Sequence, residues 1–155
     1  QGLSCAVGMA LAGKRDHKDY MVYAVVGDGE ADEGQIWEAV MAAYRYHLDN
    51  LVVIIDNNGL QIDGTTDEIM PQLDLTKKFD AFGYDTYEID GHNMEQIMET
   101  FDKIHAAKDG RPKFINAHTV KGKGVSYMEN QLAWHGMAPN DEQYQQAMRE
   151  LEEGI

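Results

Sequence analysis

Two apolar segments, Met21 to Val26 and Leu51 to Ile55, each run straight into a short polar turn, and one amphipathic stretch separates them. Apolar runs of this length bounded by turn residues suit buried strands, and the intervening 3.6-residue periodicity suits a helix. A parallel βαβ unit is the simple solution, and its crossover places both turns at the carboxyl edge of one sheet, where open α/β sheets hold ligands. The first turn is Gly27-Asp28-Gly29 and the second Asp56-Asn57-Asn58-Gly59. Folding therefore brings Asp28 and Asn58 together from positions 30 residues apart. A carboxylate and an amide oxygen are hard donors of the kind Mg2+ or Ca2+ prefers, and glycines admit a close backbone approach. The pattern points to a metal-diphosphate site.

The remaining elements fit the same architecture. Leu3, Ala6, Val7, Ala10 and Leu11 recur at helical spacing, with Gly13 as the expected stop. Tyr20 to Val26 is expected as a strand covered on both faces. Asp32 is expected to cap the next helix, whose inner face is Ile36, Ala39, Val40, Ala43 and His47. Residues 56 to 67 read as a structured loop, Asp74 to Phe82 as a short helix and Asp85 to Ile89 as a third strand. Met94, Ile97, Met98, Phe101 and Ile104 mark a further helix, and Lys113 to His118 a fourth strand. A long loop then leads past Pro139 to a charged terminal helix, Asp141 to Glu152. The fold class is α/β, a mostly parallel sheet flanked by helices, in one domain over residues 1–155.

Composition narrows the function. The formal net charge of −14 argues for no nucleic acid partner and against anionic membranes. Cys5 is the single cysteine, which leaves no internal disulfide framework and fits a reducing compartment. No segment has the length and apolarity of a membrane span and no secretory signal is visible, so a cytoplasmic location with no membrane attachment is expected. The chain opens on Gln1 within a helix-forming pattern, so an upstream part of the domain is expected to be missing.

GDGEADEGQIWEA, followed by DNNGLQIDGTT, KGKGVSYMEN and Trp134-His135-Gly136, resembles the transketolase family of thiamine-diphosphate (ThDP) enzymes in order and spacing along nearly the whole chain. The resemblance implies the ThDP-binding fold, specifically its diphosphate-binding domain, with ThDP and Mg2+ (or Ca2+) as cofactors. It implies Asp28, Asn58 and the Leu60 carbonyl as metal ligands. Gly27, Asp28, Gly29, Glu33, Asn58, Ile62 and His135 would contact the cofactor, with Ile62 against the thiazolium ring. His135 and Glu33 would be catalytic, and Glu33 with Glu38 would form an acidic network at a dimer interface. The activity implied is transfer of a two-carbon ketol unit between sugar phosphates, from xylulose 5-phosphate to ribose 5-phosphate in the pentose phosphate pathway. The pyrimidine-binding domain that completes such a site is expected on a partner subunit or a further domain, in a dimer of complete units.

Other readings are weaker. Asp28, Glu30 and Asp32 alternate like an EF-hand, but Glu33 and Ala39 stand where glycine and glutamate are needed. Gly27-Asp28-Gly29-Glu30-Ala31-Asp32 lacks the last glycine of a dinucleotide fingerprint. Deoxyxylulose-phosphate synthase, another ThDP enzyme, lacks the EG-x-x-x-EA, IDG-x-T and WHG combination. Lys121 and Lys123 read as exposed lysines. His17, His47, His92, His105 and His118 read as structural or surface residues, and Tyr44, Tyr46, Met94 and Met98 as packing.

Overall fold

The computed structural model describes residues 1–107 and 109–154, so Ile155, the expected domain end, lies outside the described residues. The elements, in order, begin with α1 (Gly2–Arg15), β1 (Val22–Gly27), a single 3-10 turn at Gly29–Asp32, and α2 (Gly34–Arg45). Next come β2 (Leu51–Asn57), β3 (Leu60–Gln61), β4 (Gly64–Thr65), α3 (Thr66–Ile69) and α4 (Leu75–Ala81). The rest are β5 (Asp85–Asp90), α5 (Met94–Ala106), β6 (Lys113–His118), a 3-10 turn at Leu132–His135, and α6 (Asp141–Glu153).

Four strands form a wholly parallel sheet in the order β1-β2-β6-β5. Val22 pairs with Leu51 and Gly27 with Asp56, so the Gly27–Gly29 and Asp56–Gly59 turns leave the sheet on adjacent strands at one level. The 56–67 loop holds more order than turn signals suggest, because β3 and β4 pair as a two-residue antiparallel ribbon.

One face of the sheet carries the main core: Leu3, Ala6 and Ala10 of α1, Ile36, Val40 and Ala43 of α2, and Phe79 of α4 pack on Val26, Val53, Ile55 and Phe114. Burying each large aliphatic side chain contributes about 1.5–3 kcal/mol, and this face decides the fold. The opposite face has a smaller cluster, with Ile104 of α5 against Val52, Ile89 and Ile115.

Several expectations need correction. β1 is an edge strand, and its second face is only partly covered: Val25 is 69% exposed, and Tyr23, 44% exposed, packs edge-on against Phe101 and His105 of α5. α1 continues past Gly13, which is buried because the Tyr20 ring occupies the place a Cβ would need, 2.7 Å away. Leu11, Met94 and Met98 are exposed, because α1 and α5 each bury a narrower stripe than their apolar residues span. His47 sits beyond α2 with positive φ, and is exposed. Tyr44 and Tyr46 are half exposed; Tyr44 covers Gly83, and Arg45 lies over the Tyr46 ring. Asp32 does not cap α2: the 3-10 turn intervenes and Glu33 takes the N-cap position, with no hydrogen bond from its side chain to the helix.

Candidate functional site at the carboxyl edge of the sheet

A cleft of about 440 Å³ opens where β1 and β2 end. Its walls combine Gly27, Asp28, Gly29 and Glu33 from the first turn with Asn58, Leu60 and Ile62 from the second. His135 closes it from the 3-10 turn late in the chain. All the residues singled out in the sequence for metal or cofactor contact thus share one cavity. Asp56, Glu30, Gln61 and Lys121 also line it.

Asp28 is only 2% exposed. Its Oδ1 accepts the Gly29 N–H at 2.9 Å and its Oδ2 accepts the Gly59 N–H at 2.7 Å. Gly59 can aim its amide there because it adopts φ +74°, a conformation that costs other residues more. Burial pushes the Asp28 carboxyl above its ordinary value, and the neighbouring Asp56 carboxylate adds to that rise; the Gly59 and Gly29 amides only partly oppose it. Among the described residues no Lys, Arg or His forms an ion pair with Asp28. A buried carboxylate without a counter-charge beside a second carboxylate is a place that favours a cation.

Asn58 adds a neutral amide oxygen beside the Glu30, Glu33 and Asp56 carboxylates that also line the cleft. Asn58 Oδ1 faces the Leu60 N–H at 3.0 Å, folding the second turn tightly. Among the described residues no three His, Cys, Asp or Glu side chains are grouped to hold a metal. The cleft wall thus brings the Asp28 carboxylate, the Asn58 amide and Leu60 to one cavity. The space a Cβ on Gly27 would occupy is empty, leaving the backbone open to a ligand.

A supporting layer holds the first turn. The Gln72 side chain, 7% exposed, donates to the Asp28 carbonyl at 3.2 Å and also to the Asp32 carboxylate. Gln61 donates to the other Asp32 oxygen at 3.4 Å. Trp37 Nε1 donates to the Ala31 carbonyl at 2.9 Å, while its ring stacks on Phe82. The contact of Gln72 with Asp32 was not legible in the sequence because the two converge from positions 40 residues apart, and no local pattern marks such a contact.

His135 is placed by its neighbour. Trp134 Nε1 donates to the Tyr127 carbonyl at 3.0 Å and the two rings pack 5.2 Å apart. That anchor turns the loop so that His135 faces the cleft. Lys121 also faces it, contrary to its reading as an ordinary exposed lysine, whereas Lys123 pairs with Glu129 at 3.8 Å. Glu33 and Glu38 are both exposed; Glu33 lines the cleft.

The fold and cleft together define an α/β domain with a cofactor-type site at the carboxyl edge of its sheet. Residues 1–152 match the family model described as transketolase, thiamine diphosphate binding domain, and the chain belongs to the transketolase family. It is 50% identical over 154 residues to one subunit of an apulose-4-phosphate transketolase from Phocaeicola vulgatus, covering 99% of this chain and 54% of that protein. It is 47% identical to one subunit of a 6-deoxy-6-sulfo-D-fructose transketolase from a Clostridium species, covering 98% of this chain and 55% of that protein. The chain thus spans about half the length of these relatives. A transketolase structure from Campylobacter jejuni superposes with a TM-score of 0.90 at 28% identity, over 97% of this chain and 24% of that one. Among the described residues no helix is long and apolar enough to cross a membrane.

Proposed function

We propose that this chain is the diphosphate-binding part of a two-carbon ketol transferase that acts on sugar phosphates. The observation that carries the reading is that one cleft unites Asp28, Asn58, Leu60, Ile62 and His135 around a buried carboxylate that, among the described residues, has no ion-pair partner. Asp28, Asn58 and the Leu60 carbonyl would hold Mg2+, and Gly27 and Gly29 would lie against the diphosphate. Lys121 and His135 would neutralise or hydrogen-bond its anionic end. Ile62, 69% exposed at the cleft, would cover the thiazolium face of the cofactor. ThDP, when bound, supplies the carbanion chemistry, and this chain orients and neutralises it. Glu33 would meet its counterpart at the interface between two complete units.

In this reading the domain spans residues 1–155 and needs a pyrimidine-binding partner subunit or domain. Both of the relatives named above bear the word subunit in their names, which supports a separately encoded partner. The partly covered second face of β1, with Val25 exposed, is a surface such assembly would bury. The substrate pair proposed first is xylulose 5-phosphate and ribose 5-phosphate, as in the pentose phosphate pathway. The names of those two relatives add apulose 4-phosphate and 6-deoxy-6-sulfo-D-fructose as donors to test.

The test is reconstitution of the full-length protein with its pyrimidine-binding partner, ThDP and Mg2+, against each donor with ribose 5-phosphate or glyceraldehyde 3-phosphate. Ketol transfer only in the complete mixture is the expected result. Product from pyruvate with glyceraldehyde 3-phosphate instead would move the chain to the synthase class.

A further inference from the structure

The turn after β5 reaches sideways to the segment that carries Lys121. Gly91 N–H donates to the His118 carbonyl at 2.8 Å, and His92 Nε2 accepts the Val120 N–H at 2.8 Å. The Asp90 carboxylate accepts the His92 backbone N–H at 2.9 Å and so holds the turn. A Cβ on Gly91 would lie 2.5 Å from Thr119 Cγ2, so this close approach requires glycine. From the other side the Asn57 carbonyl accepts the Thr119 N–H at 3.1 Å, and the Thr119 hydroxyl donates to Asp56. Residues 118–120 are therefore clasped between the exits of β5 and β2, and Lys121 follows directly into the cleft.

A backbone amide can only donate, so Nε2 of His92 must be the unprotonated ring nitrogen here; an imidazolium has no acceptor left. We propose that His92 is a positioning residue which, as neutral imidazole, grips Val120 and thereby aims Lys121 at the anionic end of the cleft. The proposal rests on the reading of that cleft as a diphosphate site. The ionisable groups around the clasp are Asp90 behind the His92 amide, the Glu88–His118 pair at 2.6 Å on the adjoining strands, Asp56 on the β2 side and Lys121 itself. Among the described residues none of these is bonded to the Val120 N–H in place of His92. An imidazolium at this position could not accept the Val120 N–H, and among the described residues no other side chain is bonded to it.

The test uses the full-length protein, alone and with its partner, in wild-type, His92→Gln, His92→Phe and Lys121→Ala forms, the last also combined with His92→Gln. Gln places an acceptor near the position of Nε2 but does not titrate. Binding of magnesium pyrophosphate and of ThDP is measured by calorimetry at pH 8 and pH 5.5. His92→Gln should match wild type at pH 8 and bind roughly two- to tenfold tighter than wild type at pH 5.5, the scale of one hydrogen bond. His92→Phe should be weak at both, and the Gln advantage should vanish in the Lys121→Ala background. A Gln variant with the wild-type pH profile, or one whose advantage survives without Lys121, overturns the proposal. Protection of the Val120 amide against hydrogen exchange gives a ligand-independent check. It should fall in acid in wild type and persist in His92→Gln, and equal protection in both overturns the clasp. If no form binds either ligand while Val120 behaves as stated, the clasp stands and the diphosphate reading falls.

Discussion

The Asp28 carboxylate accepts the backbone N–H of Gly59 at 2.7 Å across a sequence gap of 31 residues. That one bond ties together the turns leaving β1 and β2, and it does so with the group proposed to hold the metal. Structure and binding are therefore coupled at Asp28. Asp28→Ala and Asn58→Ala should each abolish metal-dependent ThDP binding. Asp28→Ala should also lower thermal stability, by roughly 1–3 kcal/mol from the orphaned Gly59 amide. Binding is checked by calorimetry with and without Mg2+, and stability by thermal melts.

Two glycines in the same turn have different surroundings. A Cβ on Gly29 would sit 2.6 Å from Gln61 Cβ, whereas one on Gly27 meets nothing. Gly29→Ala should destabilise the protein by about 1–3 kcal/mol through overpacking. Gly27→Ala should melt near wild type yet weaken ThDP binding, because its methyl group would project into the diphosphate's space. Paired melts and titrations of the two variants give the readout.

The pKa of Asp28 makes metal linkage testable by pH. Its folded value lies above the unfolded one, burial being the main cause, so between the two values the native state binds more protons. In that window the metal-free protein gains stability from this group as pH falls, and loses it as pH rises through the raised value. Mg2+ with pyrophosphate requires the ionised carboxylate and reverses the balance. The rise in melting temperature that they produce, followed as a pH series, should grow as pH rises through the raised value. The same pH dependence in Asp28→Asn would show that Asp28 is not the ligand.

Far from the cleft, Lys113 is fully buried and its ammonium bonds Asp109 at 2.5 Å and Asp85 at 3.3 Å. Burial alone would raise the Asp109 carboxyl, but the bonds from Lys113 and Arg111 outweigh it and hold the group at about 2. A depressed carboxylate contributes stability that is complete above its unfolded value near 3.8 and is lost as pH falls toward 2. The stability gap between wild type and Asp109→Asn should therefore be constant above about pH 5 and close between pH 3.8 and about 2. Lys113→Met should cost about 2 kcal/mol, less than a wholly buried pair because both aspartates keep some water.

The supporting layer should matter for affinity more than for the fold. Gln72→Leu removes the donors to the Asp28 carbonyl and to Asp32, and should weaken metal-dependent ThDP binding by roughly tenfold, as outer-layer changes at metal sites do. Gln72→Glu should weaken it further by adding a third carboxylate next to Asp32 and Asp28. Calorimetric titration of both variants measures the effect.

Apolar runs, turn residues and their spacing were enough to determine the four strands of the parallel sheet, the parallel crossover and the shared edge of the Asp28 and Asn58 turns, because these follow from local period and from the handedness of a βαβ unit, whereas the short β3–β4 ribbon has no such signal. The run Asp141 to Glu152 was likewise legible as a helix, and Asn140 supplies its capping box. Tertiary structure alone decided which apolar residues are covered. Val25, Leu11, Met94 and Met98 carry the right period but face outward, since burial depends on what packs opposite and not on the residue itself. It also decided the long-range polar contacts: Gln72 on Asp32, Lys121 in the cleft and His92 on Val120 join distant positions through side chains that obey no sequence period. Asp32 shows the physical reason most directly. Beside a helix start it has the composition of a cap, yet the 3-10 turn takes it in and its carboxylate accepts from the Gln61 and Gln72 amides instead.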